Sequence, residues 1–171
     1  MRTFIAVEIP FNERIGDLQR SITGRHKAVE RENMHITLKF LGEVSEKKIE
    51  EIKKVVENCK VSPFKIKLHG VGFFPSEKYI KVVWIGVKNG EEIVGMMKCI
   101  DQHLQSMGFK RERNYVPHLT VARAKGKISI ENIEKFRNSE FGEVEIKEIK
   151  IKKSTLTDKG PIYEDLFVIQ L

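Results

Sequence analysis

Apolar and polar residues recur along this chain with two different periods, which together predict a mixture of strands and helices. A first strand is predicted over residues 3–9, which are mostly apolar and end at Pro10. After this proline, Ile15, Leu18 and Ile22 fall at helical spacing. The chain is therefore expected to begin with a strand followed by a helix.

The same order continues in the first half of the chain. A strand is predicted over residues 34–41, where Ile, Leu, Phe and Thr are frequent, and it ends at Gly42. Ser45 is a natural N-cap for the next helix. The apolar face of that helix comprises Ile49, Ile52, Val56 and Cys59. A half-buried strand should follow near residues 64–68, where apolar residues alternate with lysines.

The second half predicts the same succession of elements. A strand over residues 79–87 precedes a helix that ends at Gly108, and another strand covers residues 115–122. A short helix is expected from Ser129, around Ile130 and Ile133. Apolar and polar residues alternate over residues 144–151 with one shift of phase, which predicts a strand with a β-bulge. The last strand is predicted over residues 162–171.

Two histidines occupy equivalent places in this repeated order. His35 and His118 are 83 positions apart (118 − 35), close to half of the 171 residues. A predicted helix begins ten residues after His35, at Ser45, and eleven residues after His118, at Ser129. We interpret this as a tandem duplication: an α+β domain over residues 1–171, with two interleaved lobes related by a pseudo-twofold axis and the repeat divided near residues 75–80.

Each histidine is followed two residues later by a threonine, Thr37 or Thr120. Because side chains alternate along a strand, each His/Thr pair should project from one face while its apolar neighbours enter the core. Two imidazoles can serve as general acid and general base near neutral pH, and a threonine hydroxyl can donate a hydrogen bond to a phosphate oxygen. The pattern therefore predicts one cleft suited to phosphodiester chemistry.

Two simpler readings compete with this one. A single His-x-Thr on a strand is usually a structural histidine, with its hydrogen bonds made, beside a residue that favours strands. The presence of two copies favours a functional role. A zinc site is the second reading, but threonine is a poor zinc ligand and neither motif has further ligands at suitable spacing. We therefore expect no metal and no cofactor. His26, His69 and His103 are not followed by threonine at this spacing, and we expect no catalytic role for them.

Composition adds a preference for anionic partners. The formal net charge is +7 and the sequence pI is about 9.4, although interleaved charges, 32% of the chain, equally suit a surface rich in ion pairs. Cys59 and Cys99 are too few and too far apart in sequence for a disulfide framework or a four-cysteine zinc site, which fits a reducing cytoplasm. The first apolar run is too short and too charged for a signal peptide or membrane span, so a soluble cytoplasmic protein is expected.

The motifs resemble a known family. Residues 33–44 (NMHITLKFLGEV) and 117–123 (PHLTVAR) are similar to the paired motifs of the LigT-like RNA 2',3'-cyclic phosphodiesterases, within the two-histidine phosphoesterase superfamily. The similarity extends to residues 82–86 and 154–163. It implies a bilobal fold in which two antiparallel sheets line a central cleft with helices outside. It also implies hydrolysis of RNA 2',3'-cyclic phosphate ends to 2'-phosphates, and reversible 2'-5' RNA ligation as a second activity.

The resemblance also implies roles for individual residues. His35 would be the acid for the leaving oxygen and His118 the base for water, with the direction of this assignment left open. Phe40 would stack on a base and Arg123 would bind phosphate, although Phe40 could equally be a core residue and Arg123 a surface cation. Lys39 is expected on the face of His35 as a solvated charge. Trp84 is expected to be a packing residue.

Three functions remain in competition. The leading hypothesis is a monomeric, metal-independent cyclic phosphodiesterase that acts on RNA, with tRNA halves as one candidate substrate. A noncatalytic module would use the positive charge to bind RNA ends but would not convert them to product. An enzyme for a small cyclic nucleotide would use the same chemistry on a different substrate.

Overall fold

The computed structural model describes residues 1–171, and its secondary structure is predominantly β. The chain has nine strands and four α-helices, with a 3-10 turn over Arg31–Asn33, and its longest connection covers residues 106–117. In chain order the elements are β1 (Arg2–Glu8), α1 (Glu13–Arg20), β2 (Ile22–Ala28), β3 (His35–Glu43), α2 (Glu46–Cys59), β4 (Phe64–Ser76), β5 (Tyr79–Lys88), α3 (Glu91–Gln105), β6 (His118–Ile130), α4 (Ile133–Arg137), β7 (Glu140–Ile146), β8 (Glu148–Thr157) and β9 (Gly160–Gln170).

All nine strands belong to one sheet, in which every pair of neighbours is antiparallel. The order is β7-β4-β5-β6-β3-β1-β8-β9, and β2 pairs with the distal part of β6. The α+β class is thus confirmed. The two expected sheets, however, are joined into one, because β3 and β6 pair through Ile36 and Leu119.

The sheet must curl strongly. Strands β7 and β8 lie towards opposite ends of the strand order, yet only Lys147 separates them in sequence. One intervening residue spans at most about 7 Å between its neighbours' Cα atoms, so the ends of the two strands must lie side by side. The single bulged strand predicted over residues 144–151 was therefore wrong. Its slip of phase marks the passage from one strand to another.

The hydrophobic core consists of 36 buried residues between the sheet and the helices. Helices α2 and α3 pack against each other, and α3 packs on β3. Helix α2 begins as predicted, because the Ser45 hydroxyl accepts a hydrogen bond from the Lys48 amide at 3.3 Å. None of the helices combines the length and the apolar character needed to cross a membrane.

One strand was missed. Ile22 was predicted to lie in the first helix but begins β2, and Ser129 was predicted to begin a helix but lies near the end of β6. The two strands pair in this region, where Thr23 is opposite Ser129 and their hydroxyl groups lie 2.8 Å apart. The fourth helix therefore begins later, at Ile133.

The two cysteines also depart from expectation. Cys59, at the end of α2, and Cys99, within α3, form a disulfide with their Cα atoms 5.7 Å apart, inside the usual range. Their separation of 40 residues in sequence is irrelevant, since the packing of the two helices brings them together. The expectation of reduced cysteines was therefore wrong for this structure.

A buried ion pair ties the central sheet to the helices. Lys39 of β3 donates to the Asp101 carboxylate of α3 at 2.7 Å, and both side chains are almost completely buried. Asp101 also accepts from the Glu112 amide at 2.9 Å and the Tyr115 hydroxyl at 2.6 Å. The loop between α3 and β6 is thereby fastened just before His118. The prediction that Lys39 is a solvated charge was wrong.

We predict that Asp101→Asn destabilises the protein by about 3 kcal/mol, because it leaves the buried Lys39 ammonium with weaker partners. This is the lower end of the usual cost, since Glu112 still faces that ammonium at 3.0 Å. Urea unfolding followed by circular dichroism measures the difference in free energy.

The control is Glu57→Gln, which removes an exposed pair with Lys53 and should cost less than about 1 kcal/mol. The double variant Lys39→Met/Asp101→Leu should recover part of the lost stability, because no unpaired charge remains in the core. Equal stabilities for Asp101→Asn and Glu57→Gln would show that the buried pair has no special role.

Candidate active site

The pairing of β3 with β6 brings the two sequence motifs together. Ile36 and Leu119 are directly opposite each other, and both are completely buried. In an antiparallel pair the residues on either side then fall across from one another, so that His35 lies on the side of Thr120 and Thr37 on the side of His118. Side-chain alternation directs these four residues to the face opposite the core, where all four are half-buried.

Both catalytic candidates have the same ring orientation. His35 Nδ1 is 2.7 Å from the Asn33 carbonyl oxygen, and His118 Nδ1 is 2.8 Å from the Val116 carbonyl oxygen. A carbonyl only accepts, so each Nδ1 carries a proton and Nε2 is the free nitrogen of the neutral ring. His26 makes the same contact with Gly24, so this bond alone does not identify a catalytic histidine. Neither Nε2 has a hydrogen-bond partner in the protein, nor has either threonine hydroxyl.

A β-bulge follows the motif in each strand. In β3, Thr37 pairs with Ala6 and Lys39 with Ile5, so Leu38 is an extra residue. In β6, Thr120 pairs with Trp84 and Ala122 with Val83, so Val121 is the extra residue. Each bulge shifts the alternation by one position. The fourth residue after each histidine is therefore buried, and the fifth is exposed on the histidine's own face.

These fifth residues are Phe40 and Arg123. Strict alternation would direct both towards the core, and the two bulges direct them to the cleft instead. Phe40 is 65% exposed, which excludes the reading of this side chain as a core residue. Arg123 is exposed and forms no ion pair, so its charge remains available.

Aromatic rings flank each histidine. Phe4 lies 5.0 Å from the His35 ring, centroid to centroid, and Tyr163 lies 5.5 Å away at 80°. On the other side, Phe74 is 5.0 Å from His118 at 87°, and Trp84 is 5.8 Å away. Each imidazole is therefore flanked by two aromatic rings, which make its surroundings partly apolar.

Sequence reasoning missed three of these four aromatic residues and took Trp84 only for packing. Phe4, Trp84 and Tyr163 lie in predicted strands, whereas Phe74 lies beyond the strand predicted near residues 64–68. Nothing in the sequence showed which strands would be neighbours. Trp84 requires a glycine opposite it, because a Cβ at Gly72 would lie 2.1 Å from the indole ring. The Trp84 Nε1 atom is buried without a hydrogen-bond partner.

Burial is the largest influence on both imidazoles, and it lowers the pKa of His35 and of His118 below the ordinary 6.5. The contacts with the Asn33 and Val116 carbonyls act in the opposite direction on each pKa. The Arg123 charge lowers both pKa values further. His35 also has Lys152, which lowers its pKa, and Glu8, which raises it.

One group of side chains that could hold a metal ion lies outside this cleft. Cys59, Cys99 and His103 lie close together, and His103 Nδ1 is 3.8 Å from each sulfur. Both sulfurs are engaged in the disulfide, so they are not thiolate ligands in this structure.

Comparison with known proteins gives a consistent family relationship. The family model for the 2'-5' RNA ligase superfamily matches residues 7–155. An RNA 2',3'-cyclic phosphodiesterase of Methanocaldococcus jannaschii is 48% identical over 171 residues, which cover 96% of this chain and 97% of the relative. A protein of the same name from Archaeoglobus fulgidus is 40% identical over 176 residues, with coverage of 99% and 100%.

Solved structures share the fold. A crystal structure from Thermus thermophilus superposes with a TM-score of 0.85 at 25% identity, covering 100% of this chain and 98% of the other. E. coli LigT in complex with 3'-AMP superposes with a TM-score of 0.81 at 22% identity, covering 99% and 97%.

We predict that an NMR pH titration of the free protein gives midpoints below 6.5 for both His35 and His118, because burial disfavours the charged imidazolium. Added inorganic phosphate should raise both midpoints, since an anion in the cleft stabilises that charged form. Midpoints at or above 6.5 without an anion would contradict the proposed burial effect.

Proposed function

The chain belongs to the 2'-5' RNA ligase superfamily, and from this premise we propose that it hydrolyses RNA 2',3'-cyclic phosphate ends to 2'-phosphates without a metal ion. The observation that carries the proposal is the meeting of two His/Thr pairs on one face, with both Nε2 atoms free of protein partners. Relatives that cover almost the whole chain are named RNA 2',3'-cyclic phosphodiesterase, which supports this substrate.

In the proposed reaction, His118 Nε2 removes a proton from water as the water oxygen forms a bond to phosphorus. The bond from phosphorus to O3' breaks, and His35 donates a proton to that oxygen, so the phosphate stays on O2'. Thr37 and Thr120 donate hydrogen bonds to the nonbridging oxygens, and Arg123 offsets their negative charge. These groups supply both proton transfer and charge stabilisation.

The charged surroundings of the two histidines differ. Glu8 is a carboxylate whose charge raises the pKa of His35, and its Cα is paired with that of His35 across β1 and β3. The pKa of His118 has no comparable carboxylate influence. Burial lowers the pKa of both histidines, and the Lys152 and Arg123 charges oppose Glu8 at His35. The acid role of His35 and the base role of His118 are therefore proposed from the family resemblance.

Ligation would use the same groups. If the 5'-hydroxyl of a second RNA replaces water, His118 removes its proton as the oxygen bonds to phosphorus, the bond from phosphorus to O3' breaks and His35 protonates O3', which leaves a 2'-5' linkage. In the reverse reaction, cleavage of that linkage, the two histidines exchange their roles. We therefore include reversible RNA ligation in the proposal. The proposed substrate is an RNA end in the cytoplasm, with tRNA halves as one candidate, and the enzyme acts as a monomer.

We also propose that the domain is bilobal, with two interleaved halves related by a pseudo-twofold axis through the Ile36–Leu119 bridge. One half consists of β1, β3, β8 and β9, and the other of β4, β5, β6 and β7. The equivalent bulges after each histidine support this relationship.

We predict that His35→Ala and His118→Ala each lower kcat by about 10²- to 10⁴-fold, because each removes one proton-transfer group. The substrate is an oligonucleotide that ends in a 2',3'-cyclic phosphate, and product is measured by chromatography in excess EDTA. His103→Ala, at an exposed position of α3, should leave kcat unchanged.

Three outcomes discriminate the competing functions. Loss of activity in EDTA would contradict the metal-independent mechanism. Tight, salt-sensitive binding of the oligonucleotide without any product would favour the noncatalytic module. A kcat/KM that does not change from cyclic mononucleotide to oligonucleotide would favour the small-substrate enzyme.

We predict that Phe40→Ala raises KM for the oligonucleotide roughly 5- to 100-fold with little change in kcat, because base stacking on an aromatic ring contributes about 1–3 kcal/mol. The melting temperature should not fall, since this side chain is 65% exposed. Phe40→Trp is the matched control and should retain the wild-type KM. A lower melting temperature with an unchanged KM would identify Phe40 as a packing residue.

A further inference from the structure

A two-stranded ribbon of basic residues extends from the catalytic strand. It is formed by β2 (Ile22–Ala28) and the part of β6 that pairs with it, residues 122–130, and we call it the basic ribbon. Its cations, all exposed, are Arg25, Lys27, Arg123, Lys125 and Lys127. Neither strand contains an aspartate or a glutamate.

Strands β4 and β5 also lack aspartate and glutamate, but Lys65 of β4 pairs with Glu143 of β7. Lysines of β3 and β8 also pair with acidic residues, as in the cluster of Lys150 and Lys152 with Glu8 and Asp165. No salt bridge of the protein includes any of the five cations of the basic ribbon. The ribbon therefore presents uncompensated positive charge.

The basic ribbon is continuous with the cleft. Strand β6 begins at His118 and reaches the ribbon at Arg123, whose charge lowers the pKa of both histidines. Arg123 is paired with Lys27 across the two strands. Lys27 also donates a hydrogen bond to the Lys159 carbonyl at the tip of the β8–β9 hairpin. Positive charge thus continues from the cleft along the two strands.

The backbone of the ribbon is held in a defined shape. Arg25 donates to the Lys125 carbonyl at 2.9 Å, and Gly24 has a φ of +97° where the opposite strand approaches closely. A side chain at this glycine would collide with the Lys127 carbonyl oxygen, at 2.3 Å from its Cβ. The cations are therefore carried by an ordered hairpin-like surface.

We propose that the basic ribbon binds the phosphodiester backbone of the RNA nucleotides upstream of the terminal cyclic phosphate. The partner strand β2 runs regularly from Lys27, opposite Arg123, to Gly24, opposite Ile128, so this part of the ribbon extends roughly 10 Å at about 3.3 Å per residue. That length exceeds the rise of about 3.4 Å per nucleotide along the axis of a duplex, so the ribbon is long enough to face more than one backbone phosphate. This inference rests on the proposed function, and it makes an RNA chain, in preference to a mononucleotide, the substrate that the surface fits.

The test measures kcat/KM of the wild-type protein and of the double variant Lys125→Ala/Lys127→Ala on two substrates. The double variant changes neither Arg123 nor the histidines. The substrates are 2',3'-cyclic AMP and a ten-nucleotide RNA that ends in a 2',3'-cyclic phosphate. Each phosphate contact to a single strand adds about −0.7 to the slope of log K against log salt, so losing two should reduce the slope by about 1.4. Between 50 and 200 mM salt, kcat/KM for the ten-nucleotide RNA should therefore fall about sevenfold less for the variant than for the wild type.

The matched control is Lys47→Ala/Lys54→Ala, which removes two exposed, unpaired lysines from α2 and makes the same change in net charge. It should keep the wild-type salt slope. The kcat/KM for 2',3'-cyclic AMP should be the same in all three proteins. Equal salt slopes for the two double variants, or an equal loss of activity towards both substrates, would overturn the proposal.

A binding measurement separates this inference from the proposed function. Fluorescence anisotropy with a ten-nucleotide RNA that ends in a 2'-phosphate requires no catalysis. If the wild type hydrolyses neither substrate, the proposed function fails. The basic ribbon would still be supported if only Lys125→Ala/Lys127→Ala reduced the salt slope of binding, and it would be refuted if that slope were unchanged.

Discussion

The backbone pairing of Ile36 with Leu119 is the constraint on which the arrangement of the cleft depends. Both side chains are completely buried, so their neighbours in each strand must face away from the core. A slip of one residue in either strand would bury a histidine and a threonine and expose an aliphatic side chain. The hydrophobic effect thus fixes the register, and the register brings the two polar pairs together.

Other residues reach the cleft because the alternation of side chains along β3 and β6 is interrupted. Two bulges turn Phe40 and Arg123 towards the histidines, although their odd spacing from His35 and His118 would direct them inwards. The bulge in β3 has a second effect, since it turns Lys39 into the core, where it meets Asp101. One extra residue in a strand therefore exposes the aromatic ring and also forms the buried ion pair behind it.

The sequence predicted most of the regular elements and both His/Thr pairs, because hydrophobic alternation and a serine N-cap are local signals. It did not predict β2, whose residues 22–28 have little alternation and depend on pairing with β6. It also did not show that Lys39 is buried, since a bulge is defined by the neighbouring strand and not by the strand itself. The aromatic walls were missed for the same reason: Tyr163 and Phe4 lie far apart in sequence and meet only through the order of the sheet.

The disulfide between α2 and α3 has a consequence for the continuity of the molecule. The residues from Cys59 to Cys99, which include β4 and β5, form a covalently closed ring. A single cut of the backbone within this ring leaves the two fragments attached to each other. Trp84 and Phe74, which flank His118, both belong to the ring and would therefore remain tethered to the catalytic strand after such a cut.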